Sequence, residues 1–84
     1  MIKFYPHFYN YILQSEKNKT LYAGYTSDLR KRFKEHNQGL VQSTESRRPF
    51  KLLYYEASRV LTDAIAREKS LKTGFGRAYL KRRI

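Results

Sequence analysis

Residues 21–36 change periodicity part-way along, and that change constrains the fold more than any other stretch does. Leu21-Tyr22-Ala23-Gly24-Tyr25 reads as a short aromatic strand, and from Asp28 onward the pattern is that of a basic amphipathic helix. A strand running straight into a helix needs a cap. Thr26 and Ser27 are the candidates, and Asp28 in the first turn would suit the positive helix end. At about 100° per residue, Leu29 and Phe33 form the apolar seam. Arg32 and His36 are four apart, so they share a face bordering that seam and should look toward the sheet. A guanidinium and an imidazole beside strand tyrosines make a candidate phosphate site.

The 84 residues make a single domain, 1–84 with its core over 8–84, and leave no room for a second core. The chain has no cysteine, which excludes a disulfide framework and a cysteine-based zinc site. His7 and His36 have no carboxylate spaced to complete a zinc site with them. No apolar run approaches the roughly 20 residues of a membrane span. Pro6 and His7 interrupt the N-terminus before a signal-peptide core develops. A soluble cytoplasmic protein with no membrane partner is expected. Eighteen Lys and Arg against seven Asp and Glu give a net charge of +11, the footprint of a polyanion binder. Anionic lipid and ribosomal RNA are the other polyanions such a charge would suit. Eight tyrosines and five phenylalanines can stack on bases as well as build a core.

Residues 1–7 read as a lead-in, and 8–14 as a strand with Tyr9, Tyr11 and Leu13 on one side and Phe8, Asn10 and Ile12 on the other. Polar residues 15–19 form a hairpin loop, and 20–26 return as an antiparallel strand in which Gly24 marks a bend or a close approach. A helix over 28–36 stops at Asn37 and Gly39. The polar connection 38–50 carries Arg47 and Arg48, and a third strand spans 51–57. Thr62 would cap a second helix from 63 to 72 or 73, Gly74 and Gly76 break it, and 77–84 form a short basic third helix. The order β-β-α-β-α-α predicts an α+β domain: a small three-stranded, mostly antiparallel sheet flanked by helices.

Glu68 stands out on the second helix. With Leu61 set at zero on the wheel, Ala64 falls at about 300°, Ile65 at about 40°, Leu71 at about 280° and Glu68 at about 340°, inside the apolar arc. A carboxylate there must pair or bind something, since burying it alone costs several kcal/mol. Pairing with Arg32 is one solution. The other is a hard cation that keeps several waters and completes its shell with phosphate.

Taken together, these parts resemble the GIY-YIG endonuclease superfamily, most closely its small single-domain bacterial branch. Tyr22-Ala23-Gly24 corresponds to the YIG element, Arg32 follows Gly24 by eight residues, and His36 follows by four more. Residues 47–56 look like the branch's third-strand signature, and Ala66-Arg67-Glu68-Lys69 carries the family's glutamate. The GIY element reads Tyr9-Asn10-Tyr11, with glycine and apolar residue both replaced; Asn10, expected to face the core, would need hydrogen-bond partners there. The resemblance implies catalytic roles for Tyr11, Tyr22, Arg32, His36 and Glu68. Glu68 would hold one divalent metal, Mg²⁺ or Mn²⁺. Arg32 would stabilise charge on the scissile phosphate, and His36 or a tyrosine would activate or orient water. Of these, His36 is the simpler base, because a tyrosine needs cationic surroundings to lower its pKa from about 10.

The expected function is a metal-dependent endonuclease on DNA, structure-specific and linked to repair or recombination. The alternative is a nucleic-acid-binding module of the same fold with little turnover, with RNA as a second ligand class. Arg32, Arg47, Arg48, Lys72 and Arg77 are the expected backbone contacts. A protein partner or homodimer is compatible with so small a domain.

Overall fold

The structure, a computed structural model, describes residues 7–73 and Lys81. Strands β1 (Phe8–Ser15) and β2 (Leu21–Thr26) form a hairpin, helix α1 (Leu29–Gln38) follows, and a 3-10 turn (Glu45–Arg47) interrupts the long connection. Strand β3 (Phe50–Ser58) and helix α2 (Leu61–Leu71) come last. The sheet runs β2-β1-β3 with both pairings antiparallel, so the expected α+β architecture is found. Apart from Lys81, the expected third helix over 77–84, with Gly74, Gly76 and Arg77, lies outside the described residues, as does the lead-in before His7.

Central β1 is covered on both faces, and its alternation sorts the core into two clusters. Tyr11 and Leu13 join Phe50 on one face, closed by Leu29 and Phe33 of α1. Ile12 joins Ala23 and Leu71 on the other, with Leu53 and Tyr54 packed against them. Pairing on β3 slips between Ile12, opposite Tyr54, and Leu13, opposite Leu52. The extra residue, Leu53, forms a bulge that turns both Leu53 and Tyr54 toward the α2 side. Asn10 is buried on that side too, and its amide donates to the Ala64 carbonyl of α2 at 2.8 Å. The polar residue within the first strand is therefore a strand-to-helix tie.

Both helix starts differ from expectation. Asp28, and not Thr26 or Ser27, caps α1: its backbone is extended (φ −138°, ψ 90°) and its carboxylate accepts from Lys31 N at 3.1 Å. Thr26 instead accepts from Asp28 N at 3.1 Å and steadies the approach. Helix α2 begins at Leu61, after Val60, whose side chain cannot cap; Thr62 lies within its first turn. Leu61 is 43% exposed, so the buried seam of α2 runs through Ala64 and Leu71 and not through Leu61. Packing of Ala64 and Leu71 on the sheet outweighs the absent cap.

The C-terminal end of α1 shows a division of labour. Gly39 alone ends the helix, at φ 79°, where its N–H reaches the His36 and Glu35 carbonyls. Asn37 stays helical and clamps the first residue of β3: its amide oxygen accepts from Phe50 N at 2.7 Å and its amide nitrogen donates to Phe50 O at 3.1 Å. Replacing Asn37 with Ala leaves both backbone groups unpaired and should cost about 1–3 kcal/mol in chemical denaturation. Asn37→Asp, which keeps only the acceptor, should fall between wild type and Asn37→Ala.

Candidate active site

Tyr11 lies opposite Gly24 in the β1–β2 ladder, and its ring covers the space where a Gly24 side chain would stand. A Cβ on Gly24 would fall 2.5 Å from the Tyr11 hydroxyl oxygen and 2.6 Å from Cζ, so the close approach is that of a phenol on the neighbouring strand. The hydroxyl lies 2.9 Å from His36 Nε2. On the far side of the imidazole, Nδ1 lies 2.8 Å from Thr44 Oγ1. The His36 ring is edge-on to Tyr22 at 5.0 Å and to Phe50 at 6.1 Å, and 0% of the residue is exposed.

In front of Tyr11 a cavity of about 510 Å³ opens along β2, the edge strand. Tyr11, Tyr22 and Gly24 form its sheet wall, Lys31 and Arg32 reach in from α1, and Glu68 comes from α2 on the opposite face of the sheet. Arg32 pairs with Glu35 one turn on, at 3.3 Å, and Glu68 with Lys72, at 3.4 Å. The alternative in which Glu68 neutralises Arg32 is therefore not the arrangement adopted. The side chain of Glu68 is 20% exposed, enough to face the cavity while sheltered by its own helix.

Electrostatics separates the three polar groups. Burial pushes the Tyr11 phenol up to about 12; the adjacent Arg32 opposes this, while Tyr22 and Glu68 reinforce it. Burial works against the Arg32 charge as well, but Tyr11 and Glu35 outweigh it and hold the guanidinium above its ordinary value. Burial, with the Arg32 charge second, presses His36 down to about 4. At neutral pH the site thus presents a neutral phenol, a fixed cation and a neutral imidazole shielded behind the phenol.

Of the residues singled out in the sequence, Tyr11, Tyr22, Arg32 and Glu68 meet in the one cavity. His36 does not line it; it stands behind Tyr22 and is hydrogen-bonded to Tyr11, both of which do. Lys72 does not line the cavity and meets it only by pairing with Glu68. Arg47 and Arg48 belong to the hairpin-turn end. Arg47 donates to Thr20 Oγ1 at 3.1 Å and to Ser43 O at 3.3 Å, and Arg48 donates to Glu45 O at 2.9 Å and lies over Gly39. Both arginines hold the 38–50 connection in shape. Arg77 lies outside the described residues. Sequence reasoning missed Thr44, a threonine in a polar loop with no periodicity to mark it, and Glu35, whose spacing of three from Arg32 was the available signal.

A hard divalent cation fits this donor set. Among the described residues no three His, Cys, Asp or Glu side chains form a cage, so Glu68 would be a lone protein ligand. Mg²⁺ tolerates that, because it keeps several waters and takes phosphate oxygens for the rest of its shell.

The chain is similar to known proteins in sequence and in fold. A family model described as the GIY-YIG catalytic domain matches residues 7–82. The chain is 42% identical over 66 residues to a UPF0213 protein of Syntrophus aciditrophicus, covering 76% of this chain and 75% of that one. It is 39% identical over 66 residues to a UPF0213 protein of Staphylococcus saprophyticus, covering 77% and 79%. A UPF0213 protein from Bacillus halodurans, solved by solution NMR, superposes with a TM-score of 0.55 at 30% identity, over 88% of this chain and 81% of that one.

Two measurements check the site's construction. Gly24→Ala should push the Tyr11 ring off His36 and cost about 1–3 kcal/mol in denaturation, the range for overpacking a tight contact. The pH dependence of stability has two limbs. His36 titrates near 4 when folded and near 6.5 when unfolded, so its contribution is complete above pH 6.5 and is lost as pH falls toward 4. Tyr11 titrates near 12 folded and 10.0 unfolded, so its contribution is complete below pH 10.0 and is lost as pH rises toward 12. His36→Gln should flatten the acid limb and leave the alkaline one.

Proposed function

The chain belongs to the GIY-YIG catalytic-domain family, and from that premise we propose that it is a nuclease hydrolysing phosphodiester bonds in DNA with one divalent metal, Mg²⁺ or Mn²⁺. The observation that carries this reading is the convergence of Tyr11, Tyr22, Arg32 and Glu68, drawn from two strands and two helices, on one cavity.

Each group has a distinct task. Arg32 receives a phosphate oxygen in its planar fork and offsets the charge that builds as water attacks phosphorus. Its existing pair with Glu35 aims the guanidinium while leaving it 37% exposed to substrate. Glu68 is the residue that would hold the metal, which would polarise the phosphate and stabilise the departing oxygen. Tyr11 offers a hydroxyl oxygen toward the cavity that can orient the attacking water, and Tyr22 walls the same space. His36, neutral and enclosed, serves through Tyr11. The +11 charge supplies sequence-independent attraction for the nucleic-acid backbone. A role in repair or recombination on branched or nicked DNA belongs to this reading, as does RNA as a second ligand class.

One observation favours a second reading, a nucleic-acid-binding module with little turnover. Neither Tyr11, held near 12, nor enclosed His36 is a ready proton acceptor in the resting site.

A panel of branched, nicked and single-stranded DNA and RNA, incubated with Mg²⁺ or Mn²⁺, separates the two. The nuclease reading expects cleavage that falls about 10²–10³-fold in Arg32→Ala, and comparably in Glu68→Gln, with both variants folded. Salt-dependent binding without cleavage by the wild type would establish the second reading instead. Equal cleavage by wild type and Glu68→Gln would remove Glu68 from the metal role.

A further inference from the structure

Thr44 directly precedes the 3-10 turn, where a threonine hydroxyl would ordinarily cap backbone N–H groups, yet its side chain makes no capping bond. It is 0% exposed, so no solvent satisfies it. The hydroxyl is committed inward, 3.3 Å from the Val41 carbonyl on one side and 2.8 Å from His36 Nδ1 on the other.

Proton positions follow from counting partners along this chain of groups. The Val41 carbonyl can only accept. If the Thr44 O–H donates to it, Thr44 oxygen accepts from His36 Nδ1–H, and His36 Nε2 is left with a lone pair that accepts from the Tyr11 O–H. All three protons are then used inside the protein. In the reverse arrangement Thr44 donates to Nδ1, Nε2–H donates to Tyr11, and the Val41 carbonyl loses its hydroxyl donor. The phenolic proton would then project into the cavity in search of an acceptor. The first arrangement makes one more internal hydrogen bond, which in a buried network decides the balance.

We propose that Thr44 is a positioning residue that fixes His36 as the Nδ1–H tautomer and thereby makes the Tyr11 oxygen a hydrogen-bond acceptor toward the cavity. With its own proton turned back onto Nε2, Tyr11 presents lone pairs to Arg32 and to an incoming water. With the other tautomer it would present a proton, and a water bound there would turn its oxygen, not its hydrogen, toward Tyr11. The polarity of water binding is thus set two residues behind the one that touches it. The catalytic consequence rests on the nuclease reading above; the tautomer assignment does not.

Imidazole nitrogen NMR on the full chain at neutral pH reads the tautomer directly, and the expected spectrum has Nδ1 protonated and Nε2 bare. A protonated Nε2 in the wild type overturns the proposal without any variant, so nothing hangs on how well a Thr44 substitution folds. Thr44→Val, similar in shape but unable to accept, should move the proton to Nε2. It should also lower kcat roughly 10–100-fold with KM little changed, the loss typical when a group orienting a functional imidazole is removed. Thr44→Ser should restore both the tautomer and the rate. A Thr44→Val protein whose His36 keeps the wild-type tautomer overturns the assignment to Thr44, and a switched tautomer with unchanged kcat overturns its catalytic consequence. If the wild type cuts no substrate, the nuclease reading falls while the spectrum still decides the role of Thr44.

Discussion

The 2.9 Å contact between the Tyr11 hydroxyl and His36 Nε2 joins the sheet to the first helix, and the rest of the site is arranged around it. It exists because three separate conditions are met. Gly24 leaves the ring room to lie across the neighbouring strand. The α1 cap at Asp28 and the seam through Leu29 and Phe33 bring His36, in the last turn of the helix, under the sheet. Asn37, next to His36, then ties the helix to the start of β3, so the helix cannot rotate without breaking two hydrogen bonds between the Asn37 amide and the Phe50 backbone. Two buried aromatic groups that would each be a liability alone satisfy one another, in keeping with the absence of any unpaired buried side-chain nitrogen or oxygen among the described residues.

Charge is distributed with a purpose that net charge does not reveal. The chain carries +11, yet the cavity holds carboxylates as well as cations, and each is tethered within its own helix: Arg32 to Glu35 and Glu68 to Lys72. Pairing inside each helix leaves Arg32 and Glu68 unneutralised by one another across the gap. A phosphate and a hard cation together would complement that separation, because the anion answers Arg32 and the cation answers Glu68. Elsewhere an ion pair joins two elements instead. Glu56 takes the Arg67 guanidinium and the Tyr54 hydroxyl, tying α2 to the back of β3.

What could be read from the sequence was whatever repeats along an element. Alternation in 8–14 separated Tyr11 from Ile12, the hairpin and its antiparallel return followed, and helical spacing put Arg32 and His36 on one face and marked Glu68 as misplaced in an apolar arc. Helix starts were less legible, since capping depends on one residue's backbone angles: Asp28 took the role expected of Thr26 or Ser27, and α2 began without any cap because packing sufficed. Asn37 looked like a stop signal and is a clamp, because its partner lies across a 13-residue separation that no local pattern encodes. For the same reason Thr44 was invisible, and so were the hydrogen bonds by which Arg47 and Arg48 shape the loop that carries them.

The depth of His36 bears on how such a site can work. An imidazole open to the cavity would titrate near neutrality and could act as a base itself. Enclosed by Tyr11, Tyr22 and Phe50, and repelled by Arg32, it stays neutral throughout the physiological range. A neutral imidazole offers one lone pair and one proton in fixed directions, and that gives it value as an orienting group: with Nε2 bare it accepts the Tyr11 proton, whereas a charged imidazolium, with two donors, would turn that proton out toward the cavity. Burial does most to keep His36 neutral; the Arg32 charge acts in the same direction and also stands beside the phenol that His36 orients. The cation suited to phosphate thus stands beside a wall whose hydrogen-bond polarity the enclosed imidazole sets, and burial, more than the Arg32 charge, keeps that imidazole neutral.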